Sequence, residues 1–136
     1  MTIIIDSDGL IGVINKDDAH HARSLILLEE LIRQEAKLIY PVTVITEATA
    51  ILQIRLSKQS LSHKIIELLT EEKLIIEAVD ELILKEAATL LRPAVSKHNT
   101  LFDAVVATVA KKYTADAIFS FDKWYKKLGF KLVADL

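Results

Sequence analysis

Short aliphatic runs alternate with longer amphipathic stretches along the whole chain, and this rhythm limits the folds open to it. Thr2–Ile5 reads as a buried strand and Leu10–Ile14 as a short helix after it. Ala19–Gln34 carries Leu25, Leu28, Leu31 and Ile32 at a helical period. Lys37–Tyr40 is a short strand closed by Pro41. Val44–Leu56 and Leu61–Leu69 are helices, the second with Ser60 as its expected N-cap. Leu74–Glu77 is a strand. Asp80 is expected to cap Glu81–Leu91, with Pro93 just beyond the stop. Leu101–Tyr113 is an apolar helix, Ala117–Phe121 a strand, Lys123–Leu128 a last short helix and Lys131–Val133 a final strand. Strands that alternate with helices form parallel sheets covered on both faces. The expectation is an α/β chain with about five mostly parallel strands.

The 136 residues are expected to form one domain spanning 1–136. Gly and Pro number only three and two, so loops should be short and no flexible linker divides the chain. The sequence is 51% hydrophobic but 6% aromatic, which makes the core aliphatic. With no cysteine, disulfides, thiolate metal sites and cysteine nucleophiles are excluded. A formal charge of −2 excludes a wholesale basic nucleic-acid binder, although a local basic face is compatible with it. No signal-like segment and no membrane-length apolar run is visible, so a cytoplasmic protein without a membrane partner is expected.

Four acids lie against apolar neighbours. Asp6 ends Ile3-Ile4-Ile5, Glu47 follows Val42-Thr43-Val44-Ile45-Thr46, Asp103 follows Leu101-Phe102, and Asp122 follows Ile118-Phe119-Ser120-Phe121. Carboxylates are seldom buried unless paired or bound to a cation. Right-handed crossovers put all strand C-termini on one edge, and helix starts return to that edge, so all four can share one pocket. Each has a plainer reading. Asp6 and Asp122 suit helix N-caps, and Thr100-Leu101-Phe102-Asp103 has capping-box spacing. A capping carboxylate can still bind a metal. Glu47 lies on or beside an apolar stripe with Val44, Ala48, Ala50 and Ile51, where a solvent-facing Glu would not sit. Asp8 lies two residues past Asp6. Ser7 and Ser120 adjoin two of the acids and are candidates to orient them. Asp116 reads as a turn residue at the opposite edge. His20, His21, His63 and His98 lack metal-ligand spacing and read as surface or helix-end residues.

Taken in order, Ile3-Ile4-Ile5-Asp6-Ser7, Thr46-Glu47-Ala48, Leu101-Phe102-Asp103-Ala104 and Phe119-Ser120-Phe121-Asp122-Lys123 resemble the PIN-domain nucleases, and among them the compact VapC-like toxins. The resemblance implies a three-layer α/β/α sandwich and a metal-dependent endoribonuclease. It implies that Asp6, Glu47, Asp103 and Asp122 form the acidic quartet, with Ser120 at the family's usual Thr or Ser. Asp6, Asp103 and Asp122 would ligate Mg²⁺ or Mn²⁺, ions that prefer hard oxygen donors. Glu47 would be a further ligand or orient the attacking water in an in-line hydrolysis. Asp8 departs from the usual Ser or Asn and adds negative charge.

RNA would be met by Lys123 and Arg55, drawn from two basic groups: Lys111, Lys112, Lys123, Lys126, Lys127 and Lys131, and Arg55, Lys58 and Lys64. Trp124 and Tyr125 are candidates to stack on a base, with core packing the expected place of at least one. Helices richer in Leu and Ile than a small monomer needs imply a homodimer and a cognate antitoxin segment beside the site. A receiver-like phosphoacceptor domain is the rival on the first acid, but it needs an Asp at the third strand's end, where this chain has Ile76-Glu77-Ala78-Val79. The other rival is a non-catalytic PIN-like module that binds RNA or protein.

Overall fold

The computed structural model describes residues 1–92 and 96–136. Pro93, expected just past a helix stop, lies outside the described residues. The elements run β1 (Thr2–Ile5), α1 (Ser7–Ile14), α2 (His21–Arg33), β2 (Lys37–Pro41), α3 (Val42–Ala50), α4 (Gln59–Thr70), β3 (Ile75–Glu77), α5 (Glu81–Leu91), α6 (Leu101–Lys112), β4 (Ala117–Phe119) and α7 (Trp124–Lys127). The sheet is wholly parallel in the order β3-β2-β1-β4. Ile3, Ile4, Ile39, Ile118 and Phe119 are buried almost completely, as both faces of a covered parallel sheet require. α1 packs on α2 and α3, and α3 on α4, whereas α5 pairs with α6, which lies on β1 and β2. With right-handed crossovers, α1–α4 cover one face and α5–α6 the other.

Where the elements differ from expectation, a specific contact accounts for it. Lys131–Val133 is reduced to a single parallel bridge, Ile118 to Leu132, before a 3₁₀ turn over Val133–Asp135. In that turn the Asp135 carboxylate draws the Leu132 N–H (3.2 Å) and the Lys126 ammonium (2.8 Å). The sheet therefore has four strands rather than about five. β4 stops at Phe119 because the Phe121 N–H is taken by the Asp8 carboxylate (2.8 Å). The long helix expected over Val44–Leu56 ends as a π-helical turn, Ile51–Arg55, which seats Leu52 wholly in the core and leaves Ile54 78% exposed. α4 starts at Gln59, with Lys58 rather than Ser60 in the N-cap position. The Lys58 ammonium reaches Asn15 Oδ1 (2.7 Å) and Asp17, tying the α1–α2 loop to the start of α4. Asp80 caps α5 as expected, accepting the Ile83 N–H at 2.9 Å.

α1 leaves β1 after the single residue Asp6 and lies tightly over the end of β4. A Cβ at Gly9 would stand 2.3 Å from the Phe119 carbonyl oxygen, which also accepts the Asp6 N–H (3.2 Å). Backbone on both sides leaves little room to yield. Gly9→Ala is therefore expected to destabilise the domain by about 1–3 kcal/mol, measured by urea unfolding. An unchanged midpoint would mean that α1 can shift without cost.

Candidate active site

The chain turns back across the sheet between β1 and β4, since β2 and β3 lie to one side of β1 and β4 to the other. Ligands of open parallel sheets sit in the crevice outside the strand C-termini at such a reversal. The β1–β4 register pairs Ile5 with Phe119, so Asp6 and Ser120 follow side by side. The segment Ser120–Asp122, the first turns of α1 and α6, and the second turn of α3 complete the surroundings.

Asp6 is 4% exposed. Its Oδ1 accepts the Ser7 N–H (2.7 Å) and its Oδ2 accepts the Tyr125 hydroxyl (2.9 Å). Asp8 Oδ2 accepts the Phe121 N–H, while its Oδ1 is buried without a partner. Asp103 closes the capping box of α6, its Oδ2 accepting the Thr100 N–H at 2.7 Å. Asp122 accepts the Trp124 N–H on Oδ1 (2.8 Å) and the Asn99 side-chain amide on Oδ2 (2.7 Å). Its own N–H donates to the Ser120 hydroxyl (3.1 Å). Glu47 is half-buried on α3. The helix-capping roles read for Asp6 and Asp103 thus coexist with convergence on one pocket.

The same arrangement sets the charges of these acids against one another. Burial pushes the Asp6 carboxyl well above the usual carboxylate range, and the charges of Asp8 and Asp103 push it further, against the Ser7 N–H and the Tyr125 hydroxyl. Asp8 is raised by burial and by Asp122, against the Phe121 N–H and the Ser120 hydroxyl. Glu47 is raised by burial and by Asp103 and Asp8, with the Ser7 hydroxyl opposing. Asp103 is raised by burial and by Asp122, with Thr100 and Asn99 opposing. Burial and the neighbouring carboxylates also hold the Tyr125 phenol well above its ordinary value. Asp6, Asp8, Glu47 and Asp103 are thus each raised by at least one neighbouring acid, and the charge of Asp122 is the one that raises Asp8 and Asp103.

Among the described residues no three acidic or His side chains already enclose a cation position. One oxygen each of Asp8 and Asp103, and both of Asp6 and Asp122, face internal donors instead. The donor set nevertheless suits a hard divalent cation: every candidate ligand is a carboxylate oxygen, one buried oxygen lacks a partner, and the charges repel.

Two of these donors were not legible as site residues. The only sequence signal for Asn99 is its adjacency to the capping box at Thr100. Tyr125 is 0% and Trp124 7% exposed, so both take the core-packing alternative and neither offers a face to RNA. The basic groups also shrink. Lys58 is held by Asn15 and Asp17, Lys112 by Glu77 (2.5 Å) and Lys126 by Asp135. Lys123 is exposed beside Asp122, and Arg55 is exposed eight positions past Glu47. Asp116 lies at the opposite edge, accepting the Thr2 N–H at 2.7 Å.

A family model described as PIN domain matches residues 3–131. The chain belongs to the PIN domain family. Among solved structures, this PIN domain is similar to VapC20 of Mycobacterium tuberculosis, described as a sarcin-ricin loop cleaving toxin, with TM-score 0.79 and 18% identity over 94% of this chain and 95% of that one. It is similar to a chain of VapBC2 from Rickettsia felis, solved bound to a DNA fragment from their promoter, with TM-score 0.64 and 15% identity over 97% of each chain. A chain of the FitAcB structure from Neisseria gonorrhoeae gives TM-score 0.64 and 17% identity over 98% of this chain and 94% of that one. At such identities the likeness establishes the shared fold. No curated protein sequence matches the chain. No helix among the described residues is long and apolar enough to cross a membrane.

Proposed function

We propose that this PIN domain is a Mg²⁺- or Mn²⁺-dependent endoribonuclease, acting in the cytoplasm as the toxin of a toxin–antitoxin pair. The observation that carries the reading is the cluster of Asp6, Asp8, Glu47 and Asp103, partly or wholly buried at the sheet's point of reversal, each with its carboxyl raised first by burial and further by at least one neighbouring acid of the group or by Asp122. A scaffold gains nothing from that repulsion, whereas a cation site requires it.

Asp6, Asp103 and Asp122 would hold the cation, with Asp8 Oδ1 as the nearest additional oxygen. A divalent ion bound there supplies Lewis-acid stabilisation of phosphate charge and lowers the pKa of a coordinated water. Tyr125 and Asn99 hold Asp6 and Asp122 in fixed orientations, leaving further lone pairs on the same oxygens. Glu47, the half-exposed acid on α3, would orient the attacking water. Ser7 donates its N–H to Asp6, and its hydroxyl favours the charged form of Glu47. Ser120 accepts the Asp122 N–H on its hydroxyl, which also favours the charged form of Asp8. Lys123 and Arg55 would meet phosphates on either side of the cluster.

A partner has surface to cover. Leu25, Ile26 and Ile32 on α2, Ile54 on the π turn, and Ile66 and Leu69 on α4 are exposed. These residues would serve a cognate antitoxin segment and a homodimer contact. The likeness to VapC20, described as a sarcin-ricin loop cleaving toxin, agrees with this reading.

Incubation with a broad panel of RNAs tests it. Cleavage is expected with Mg²⁺ or Mn²⁺, lost in EDTA and restored on adding either ion back. Failure of the ion-loaded protein to cut any RNA would remove the enzyme reading.

A further inference from the structure

The aromatic pair Trp124 and Tyr125 is buried, yet another ring lies exposed and stacked flat on Phe121, the residue before Asp122. His20 stacks on Phe121 with ring centroids 4.0 Å apart and planes 5° from parallel. Phe121 is fixed from two sides. Its N–H is bound to the Asp8 carboxylate, and its ring edge comes within 3.7 Å of where a Cβ at Gly12 would stand on α1. The layers therefore run from α1 through Phe121 to the exposed His20. The loop that carries His20 is rigid. Asn15 Oδ1 accepts the Asp17 N–H (3.2 Å), Asp18 Oδ1 accepts the His20 N–H (2.8 Å), and His21 Nδ1 meets the Gly12 carbonyl (2.8 Å). Lys58 fixes the loop from the α4 side.

From this geometry we propose that the His20–Phe121 stack is a nucleobase platform: the open face of His20 takes a base of single-stranded RNA next to the phosphate presented to the acids. The proposal rests on the endoribonuclease reading above. Imidazole and phenyl rings are stacking surfaces that accept any base, and a ring held in place before binding loses little freedom on contact. Phe121 directly precedes Asp122 and binds Asp8, so a base on this stack is tied through two short connections to the acid cluster. The platform would set where along the strand the scissile phosphate falls, and it would prefer purines, whose larger rings stack better.

The test uses binding in EDTA, where no cleavage occurs, read by fluorescence anisotropy. The probes are short fluorescein-labelled oligo(A), oligo(U) and a fully abasic ribose-phosphate strand of equal length. Wild-type protein is expected to prefer oligo(A) over the abasic strand. His20→Ala should lose about tenfold in affinity for oligo(A), equal to about 1.4 kcal/mol and within the contribution of one base–aromatic stack. Its affinity for the abasic strand should not change, whereas a loosened loop would weaken both probes alike. His20→Phe should restore the preference. The proposal is overturned if His20→Ala keeps the wild-type preference for bases while the wild-type protein cleaves RNA, and the nuclease reading then stands. If wild-type protein neither binds nor cleaves any RNA, both fall together.

Discussion

Asp6→Asn is expected to abolish ion-dependent RNA cleavage, by at least on the order of 10²–10³-fold, while leaving the domain folded. Asp6 is the deepest of the acids and feels both Asp8 and Asp103. An amide of the same shape keeps one acceptor oxygen for the Ser7 N–H. The Tyr125 hydroxyl, which donates to Asp6 now, can turn and accept from the new NH₂ group. What disappears is a negative charge among like charges, so the thermal midpoint in EDTA should hold or rise. Circular dichroism and a gel cleavage assay on the same preparation separate the two effects. Asp116→Asn, at the opposite edge of the sheet, is the control and should cleave normally. Wild-type rates from folded Asp6→Asn would detach Asp6 from the chemistry.

The features that could be read from the chain are those decided by neighbours in sequence. Ile3-Ile4-Ile5 is too apolar for any place but a covered strand, and Asp80 and the Thr100–Asp103 box announce helix starts through spacings of three residues. The acids stood out because charge is misplaced among Ile, Phe and Val. What escaped depends on contacts across the fold. Tyr125 meets Asp6 from 119 positions away, and an aromatic residue in a short helix gives no hint that its hydroxyl faces a carboxylate. Ala117–Phe121 has the composition of one continuous strand, but Asp8 takes the Phe121 N–H and ends it early. The π turn at Ile51–Arg55 follows a pattern an α-helix fits equally well, until Leu52 must enter the core. The ends of α2, α4 and α6 fall within one residue of the sequence expectation although no glycine marks them. Glu35, Glu72 and Thr114 adopt left-handed backbone with φ of 53°, 56° and 47°, where a Gly would have marked the stop.

Without divalent ions, the domain should be more stable in mild acid than at neutral pH, against the usual trend for a protein with ion-paired carboxylates. In the unfolded chain the aspartates titrate near 3.8 and the glutamates near 4.5. Folded, Asp6, Asp8, Glu47 and Asp103 hold their protons to higher pH. Through that window the native state binds more protons than the unfolded one, so the free energy of unfolding falls as pH rises. Asp17, Glu77 and Asp135 are held low by Lys58, by Lys112 with Tyr113, and by Lys126 respectively, and act in the opposite sense. Their contribution is lost only as pH drops through and below the ordinary carboxylate values, so they shape the acid limb and not the neutral one. In EDTA the thermal midpoint should fall as pH rises from mildly acid to neutral and above. Saturating Mg²⁺ or Mn²⁺ near pH 8 should reverse the loss, adding about 2.7 kcal/mol at a hundredfold excess over Kd. Asp6→Asn should blunt both responses, because it removes the charge that burial and repulsion penalise most. A midpoint that climbs steadily from pH 5 to pH 8 in EDTA and ignores the ions would mean that the acids neither repel in the folded chain nor gather a cation.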